Sequence, residues 1–177
     1  MVASGPTSTQ LGLLAENLVI NALIHASHGR LAPFRPVADD EGIDLLLYDK
    51  GTGRVLPLQV KARTRTLKKR GSSERGNIVH FQVREVALRQ KGKTRLLAVL
   101  LDENATSITA AWLIPLNQME RVARKRGENF VIRPNRSIKS RDRFKPYFIP
   151  SIDVLVAKLM QEFERFDASF PPMSVLR

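Results

Sequence analysis

The chain has 177 residues, no cysteine and a formal net charge of +12. This length suffices for a single domain with its own hydrophobic core, which we expect to span residues 1–177. The missing cysteines exclude disulfides, thiolate nucleophiles and Cys-type zinc sites. No apolar stretch approaches the roughly 20 residues of a transmembrane helix, so we expect no membrane attachment.

The basic residues are concentrated in two segments. Residues 61–75 contain seven Lys or Arg against one acid and residues 121–145 contain ten against two, together 17 of the 29 basic residues. A solvated surface is one explanation, but so uneven a distribution favours contact with nucleic-acid phosphates. The missing cysteines and the lack of a membrane span favour a cytoplasmic protein, with nucleoid association as an alternative. The predicted phosphate contacts are Arg63, Arg65, Lys68, Lys69, Arg70, Arg75, Arg124, Lys125, Arg126, Arg136, Lys139, Arg141 and Arg143.

The first element is a helix over residues 9–27, where apolar residues recur at helical spacing. Thr7 or Ser8 can cap its N-terminus, and Gly29 is a stop signal. Polar residues form one stripe, which includes His25 and His28. The expected apolar face consists of two adjacent lines, Leu11, Leu14, Leu18 and Ala22 on one and Leu13, Ile20 and Ile24 on the other.

A β-hairpin follows a proline-rich segment that we expect to be irregular. Residues 43–48 and 55–62 have strand character, and Lys50 to Gly53 has the composition of a turn. Residues 63–76 are basic and poor in apolar side chains, which is typical of a mobile loop.

The remaining pattern alternates strands with helices, which predicts an α/β domain. It consists of strands over 78–83, 95–102, 108–114 and 130–133, a short helix or turn over 84–91, a helix over 115–126 that begins at a proline, a basic loop as far as residue 145, and a closing helix over 151–166.

The hairpin register predicts a group of polar side chains. If residues 50–53 form the turn, Asp49 pairs with Arg54 and Asp44 lies directly across from Gln59, on the same face. Lys61 shares that face, two residues further along the strand. Pro57 suggests a sheet edge or a bulge, and a slip of one residue would undo this register.

These residue types suit metal-assisted phosphodiester hydrolysis. A hard cation such as Mg²⁺ takes oxygen ligands, here the carboxylate of Asp44, the amide oxygen of Gln59 and the backbone carbonyl of Val60. Lys61 could hold the attacking water or offset charge in the transition state. An ordinary surface hairpin with an exposed acid and lysine is the alternative.

Glu16 adds a second carboxylate. It lies beside apolar residues of the first helix, where a charge normally needs a partner. Either it pairs with an arginine, or it faces the hairpin and completes the metal site.

Three short motifs, GLLAE at 12–16, GID at 42–44 and LQVK at 58–61, together resemble the ordered signature of PD-(D/E)XK nucleases, which include archaeal Holliday-junction resolvases and many restriction endonucleases. The resemblance implies a restriction-endonuclease-like fold, a central mixed β-sheet flanked by helices with the order α-β-β-β-α-β. It also implies a DNA endonuclease that uses Mg²⁺, or alternatively Mn²⁺, and that works in many members as a homodimer. Asp44 and Glu16 would be metal ligands and Lys61 the motif lysine.

Gln59 departs from that signature, since the family usually has Asp or Glu there. The amide removes one negative charge, although Mrr-like restriction enzymes also carry glutamine. A non-catalytic nucleic-acid-binding module of the same fold is therefore one alternative, and a basic RNA-binding protein is another. The three histidines, His25, His28 and His80, are expected to be ordinary surface residues.

Overall fold

The computed structural model describes residues 5–37, 42–90 and 92–165. Helix α1 runs over Ser8–Ala26. Thr7 caps it in a capping box, because its hydroxyl accepts from the Gln10 N–H at 3.3 Å while the Gln10 side chain accepts from the Thr7 N–H at 2.9 Å. The chain leaves the helix through Gly29, whose φ of +75° suits a glycine. The predicted helix, its cap and its stop signal are confirmed.

The buried face of α1 differs from the expected one. Ala15, Val19 and Leu23 are fully buried, whereas Leu13 and Leu14 are 51% and 40% exposed. Apolar residues occur on most sides of this helix, so periodicity could not decide which line faces the sheet. Ala15, Val19 and Leu23 face the sheet, and three residues of the expected face pack beside them, namely Leu11, Leu18 and Ile20.

Strands β1 (Leu31–Phe34), β2 (Leu45–Asp49) and β3 (Arg54–Arg63) are consecutive antiparallel neighbours. Strand β1 was not predicted, because it contains Pro33. That proline is tolerated since β1 is the edge strand of the sheet. Pro57 causes no bulge, and it lies at a local edge as one of the two predicted alternatives had it, because the pairing of β3 with β5 begins one residue later, at Leu58.

Six further strands follow the hairpin in the described part of the chain, and four of them are β4 (Phe81–Arg84), β5 (Arg95–Leu101), β6 (Ile108–Pro115) and, near the end, β9 (Phe148–Ile149); the other two lie between β6 and β9. The main sheet has the order β1-β2-β3-β5-β6-β9, with β3 and β5 parallel and the other pairs antiparallel. The predicted mixed sheet is confirmed. The connection from β3 to β5 uses β4 and a 3-10 helix, Glu85–Gln90, instead of the α-helix of the expected order.

The predicted helix over 115–126 is wrong in its second half. A 3-10 helix (Leu116–Gln118) and a short α2 (Met119–Val122) are followed by strands β7 (Arg124–Arg126) and β8 (Asn129–Ile132). Three consecutive basic residues offer no apolar face for a helix to bury. Gly127, with φ of +56°, instead turns the chain so that β7 pairs with β8.

The main sheet is covered on both faces. Helices α1 and α3 (Ile152–Arg165) lie on one side, and a second sheet of order β4-β8-β7 lies on the other, together with 3-10 segments that include Lys145–Tyr147. Side chains of β5 alternate between these two cores, which is why all seven are buried. In the part of the chain that the structure describes, no helix combines the length and apolar character needed to cross a bilayer.

Candidate nuclease site and basic surface

The β2–β3 hairpin has the predicted register, with Asp49 opposite Arg54 and Leu45 opposite Leu58. Regular pairing ends there, because the Asp44 N–H donates to the Leu58 carbonyl at 3.0 Å, one residue out of register. Asp44 therefore lies just outside the ladder instead of directly opposite Gln59. Its Oδ2 accepts from the Val60 N–H at 2.6 Å, which fixes the carboxylate over β3.

Lys61 lies beside this carboxylate. Its Nζ is 4.0 Å from Asp44 Oδ2, and the two side chains are 34% and 14% exposed. An ion pair this long and this open is weak. The ammonium group therefore stays close to the carboxylate and remains accessible to a substrate.

Gln59 is on the same face of β3 as Lys61, because successive strand side chains alternate. It is 3% exposed, and its Oε1 has no hydrogen-bond partner among the described residues. Gly42 adjoins it, since a Cβ there would come within 2.9 Å of Gln59 Nε2 and 3.2 Å of Ala87 Cβ. Gly42 also has φ of +72°. A glycine two residues before Asp44 is therefore favoured both by the backbone conformation and by the lack of space for a Cβ.

Glu16 forms an ion pair with Arg35, whose Nε lies 3.3 Å from Glu16 Oε2. Arg35 directly follows β1, whose last residue, Phe34, pairs with Leu46. Because Leu46 is two residues from Asp44, this ion pair lies at the same end of the sheet as Asp44. The structure thus shows the arginine partner that was one of the two alternatives, and metal binding by Glu16 stays a prediction.

The residues present fit a weakly held hard cation. Asp44 contributes a charged oxygen, and Gln59 Oε1 is a buried acceptor that a cation would satisfy. No group of three or more His, Asp or Glu residues within the described ranges has the spacing of a metal site. A cation here would therefore have few protein charges around it and would retain water or substrate oxygens, as Mg²⁺ commonly does.

The two basic segments meet in space. Asn135 forms a bridge with Ile78, and the Arg136 N–H donates to the Asn77 carbonyl at 2.9 Å. The Leu67 N–H donates to the Ile78 carbonyl at 2.7 Å, so residues 63–76 pack beside them and are held by backbone hydrogen bonds, unlike the mobile loop expected there. All thirteen predicted phosphate-contacting side chains are exposed.

His80 connects this basic surface to the hairpin. Arg63, two residues beyond Lys61, donates from Nε to the His80 carbonyl at 3.0 Å, and Arg133 Nε lies 3.4 Å from His80 Nδ1. Burial lowers the pKa of His80, and the charges of Arg133 and Arg63 lower it further. His25 and His28 are exposed as predicted, whereas His80 is partly buried and lies just before β4.

Comparison with known proteins gives a match of fold only. No protein-family model matches the chain, and no curated protein matches its sequence. The bacterial homing endonuclease I-Ssp6803I is similar in structure, with a TM-score of 0.58 and 17% identity over 94% of this chain and 100% of that one. The Holliday junction resolvase Hjc of Archaeoglobus fulgidus aligns with a TM-score of 0.42 and 12% identity, over 76% and 96% of the two chains. The likeness to the homing endonuclease shows a shared fold, which agrees with the expected mixed sheet flanked by helices.

Proposed function

We propose that this protein is a metal-dependent endonuclease that hydrolyses phosphodiester bonds in DNA. The observation that carries the proposal is the Lys61 ammonium 4.0 Å from the Asp44 carboxylate, on the face of β3 that also carries the buried Gln59 Oε1, an acceptor without a hydrogen-bond partner among the described residues. The fold shared with a homing endonuclease and the exposed basic surface support the choice of DNA.

Asp44 and Gln59 Oε1 would hold the cation, Mg²⁺ or Mn²⁺, with the Val60 carbonyl and Glu16 as further ligands. When bound, such an ion polarises the phosphate and lowers the pKa of a coordinated water. The hydrogen bond from the Val60 N–H orients the Asp44 carboxylate before any substrate arrives, so little reorganisation is needed.

Lys61 would act on the phosphate itself. Its ammonium group is one third exposed, so it can approach a non-bridging oxygen or the attacking water. Charge accumulates on these oxygens in the transition state, and a fixed cation stabilises that charge more than the charge of the ground state. The thirteen exposed basic residues would bind the flanking DNA.

Cleavage of supercoiled plasmid DNA in Mg²⁺ or Mn²⁺ tests this function. Asp44→Asn can still accept the Val60 hydrogen bond but loses the charge, so it separates metal binding from folding. We expect Asp44→Asn and Lys61→Ala each to lower the cleavage rate by on the order of 10²–10³. Lys50→Ala is the matched control, since Lys50 is exposed in the turn at the other end of the same hairpin.

Equal rates for wild type and both variants would refute the assigned residues. A wild type that cleaves none of duplex, single-stranded and branched DNA would refute the activity. In that case a non-catalytic DNA-binding module is favoured, because the neutral Gln59 gives the site one negative charge fewer than an Asp or Glu at this position would. Binding that is salt-sensitive and independent of metal would be its signature.

A further inference from the structure

The second sheet has an outer face that is exposed at Gln82, Arg84, Arg124 and Arg126 but not at its centre, where Val131 is 5% exposed and lines one recess with Asp142, Arg143 and Phe144. Directly opposite residues share a face, and Val83 and Phe130 face inwards, where they are buried. The neighbouring positions therefore face outwards. Two rows across the sheet are formed in this way, Arg84, Asn129 and Arg126 in one and Gln82, Val131 and Arg124 in the other.

This outer face is polar and strongly cationic. Arg84, Arg124 and Arg126 are exposed, and the guanidinium groups of these three residues form no hydrogen bond or ion pair with the described part of the chain. Lys125, between two of them, is instead bonded to Glu85 at 2.6 Å. Arginines grouped without acidic partners repel one another, and a polyanionic partner would remove that repulsion.

The dimensions and side chains of the face match a groove of duplex DNA. Three strands spaced about 4.8 Å apart span roughly 10 Å, and the major groove is about 12 Å wide. Arginine makes paired hydrogen bonds to guanine, and glutamine or asparagine makes them to adenine. We propose that the outer face of the β4-β8-β7 sheet enters the major groove and contacts base edges through Gln82, Arg84, Arg124, Arg126 and Asn129. That the substrate is DNA rests on the proposed function. That the protein selects particular bases is the new inference.

The position of this sheet suits that role. His80 directly precedes β4, and its carbonyl accepts from Arg63, which is two residues from Lys61. Two residues of strand span about 6–7 Å, so the candidate site and the start of β4 are close.

Selection from a pool of DNA duplexes with a randomised central segment tests the inference. The full chain is used with EDTA present, so that cleavage plays no part. We expect a defined base pattern to be enriched. Gln82→Ala should then weaken binding to the enriched duplex by roughly 5- to 150-fold, the value of one paired contact, and leave binding to random duplex unchanged, because glutamine carries no charge.

Lys68→Ala is the contrasting variant, since Lys68 is exposed in the other basic segment and should weaken binding to both duplexes equally. Gln82→Thr is a second replacement that suits an exposed strand position, and thermal unfolding confirms that each variant is folded.

Enrichment of no base pattern would overturn the inference. Equal losses on the enriched and random duplexes for the Gln82 variants would do so too, and so would tighter binding to RNA of either form. Because these measurements need no turnover, a protein that selects bases but never cleaves DNA would refute only the proposed activity. A protein that cleaves without base selection would refute only this inference.

Discussion

Replacing Gln59 with methionine should make the protein more stable and less active. The side chain is 3% exposed and its Oε1 has no partner among the described residues. A buried acceptor left unsatisfied costs about 1–3 kcal/mol, and methionine has a similar length without that oxygen. For a chain of this size about 1 kcal/mol corresponds to 2–4 °C in Tm, so Gln59→Met should unfold roughly 2–12 °C higher in EDTA.

Mg²⁺ should reduce that difference in stability. If Oε1 is a metal ligand, a cation at 100 times its Kd stabilises the wild type by about 2.7 kcal/mol. Gln59→Met lacks one ligand and should gain less, and its DNA cleavage should fall. Thermal and urea unfolding with and without Mg²⁺ measure both effects.

The control is Trp112→Phe, which removes the other buried polar atom without a described partner, Trp112 Nε1, and should keep the full Mg²⁺ response. Lower stability of Gln59→Met in EDTA, combined with an unchanged Mg²⁺ response, would refute the reasoning.

Three further predictions concern charge. Arg30 donates two hydrogen bonds to buried Asp49 and holds the pKa of that carboxyl well below its usual range. The stability that the ionised carboxylate contributes is therefore present above about pH 4 and is lost as the pH falls further. Asp49→Asn should flatten this acid dependence of stability, measured by urea unfolding. His80 should titrate below the ordinary imidazole pKa by NMR, and Arg133→Ala should raise its pKa; an unchanged value would contradict the assigned contact. For random duplex DNA, Lys68→Ala should reduce the slope of log K against log salt by about 0.9 if Lys68 contacts a phosphate, and an unaltered slope would exclude that contact.

The hairpin was the most predictable part of the protein. Its turn, the Asp49–Arg54 pair and the register as far as Leu45 depend on the few residues between the strands, so local sequence was sufficient. Strand and helix periodicities likewise predicted the bounds of α1, β5 and α3 to within about one residue. The short elements β1, β7 and β9 were missed, because pairing with neighbouring strands stabilises them and no periodicity of their own marks them.

The candidate site was predictable only in part. Asp44 and Lys61 were expected to lie together and do. The hydrogen bond from Val60 to Asp44 was not foreseeable, since it depends on a backbone that leaves the ladder at Leu45. The ion pair of Glu16 with Arg35 joins elements 19 positions apart, and sequence alone left two alternatives for Glu16.

The sequence by itself determined the charge, the hairpin and the residues capable of the chemistry, because composition and short-range pairing do not depend on the rest of the fold. Tertiary structure decided which face of α1 is buried, the meeting of the two basic segments, and the formation of a second sheet from residues 81–132. These features depend on contacts between residues far apart in the chain. Such contacts stabilise the fold only after the entropic cost of bringing distant segments together has been met, so local sequence does not reveal them.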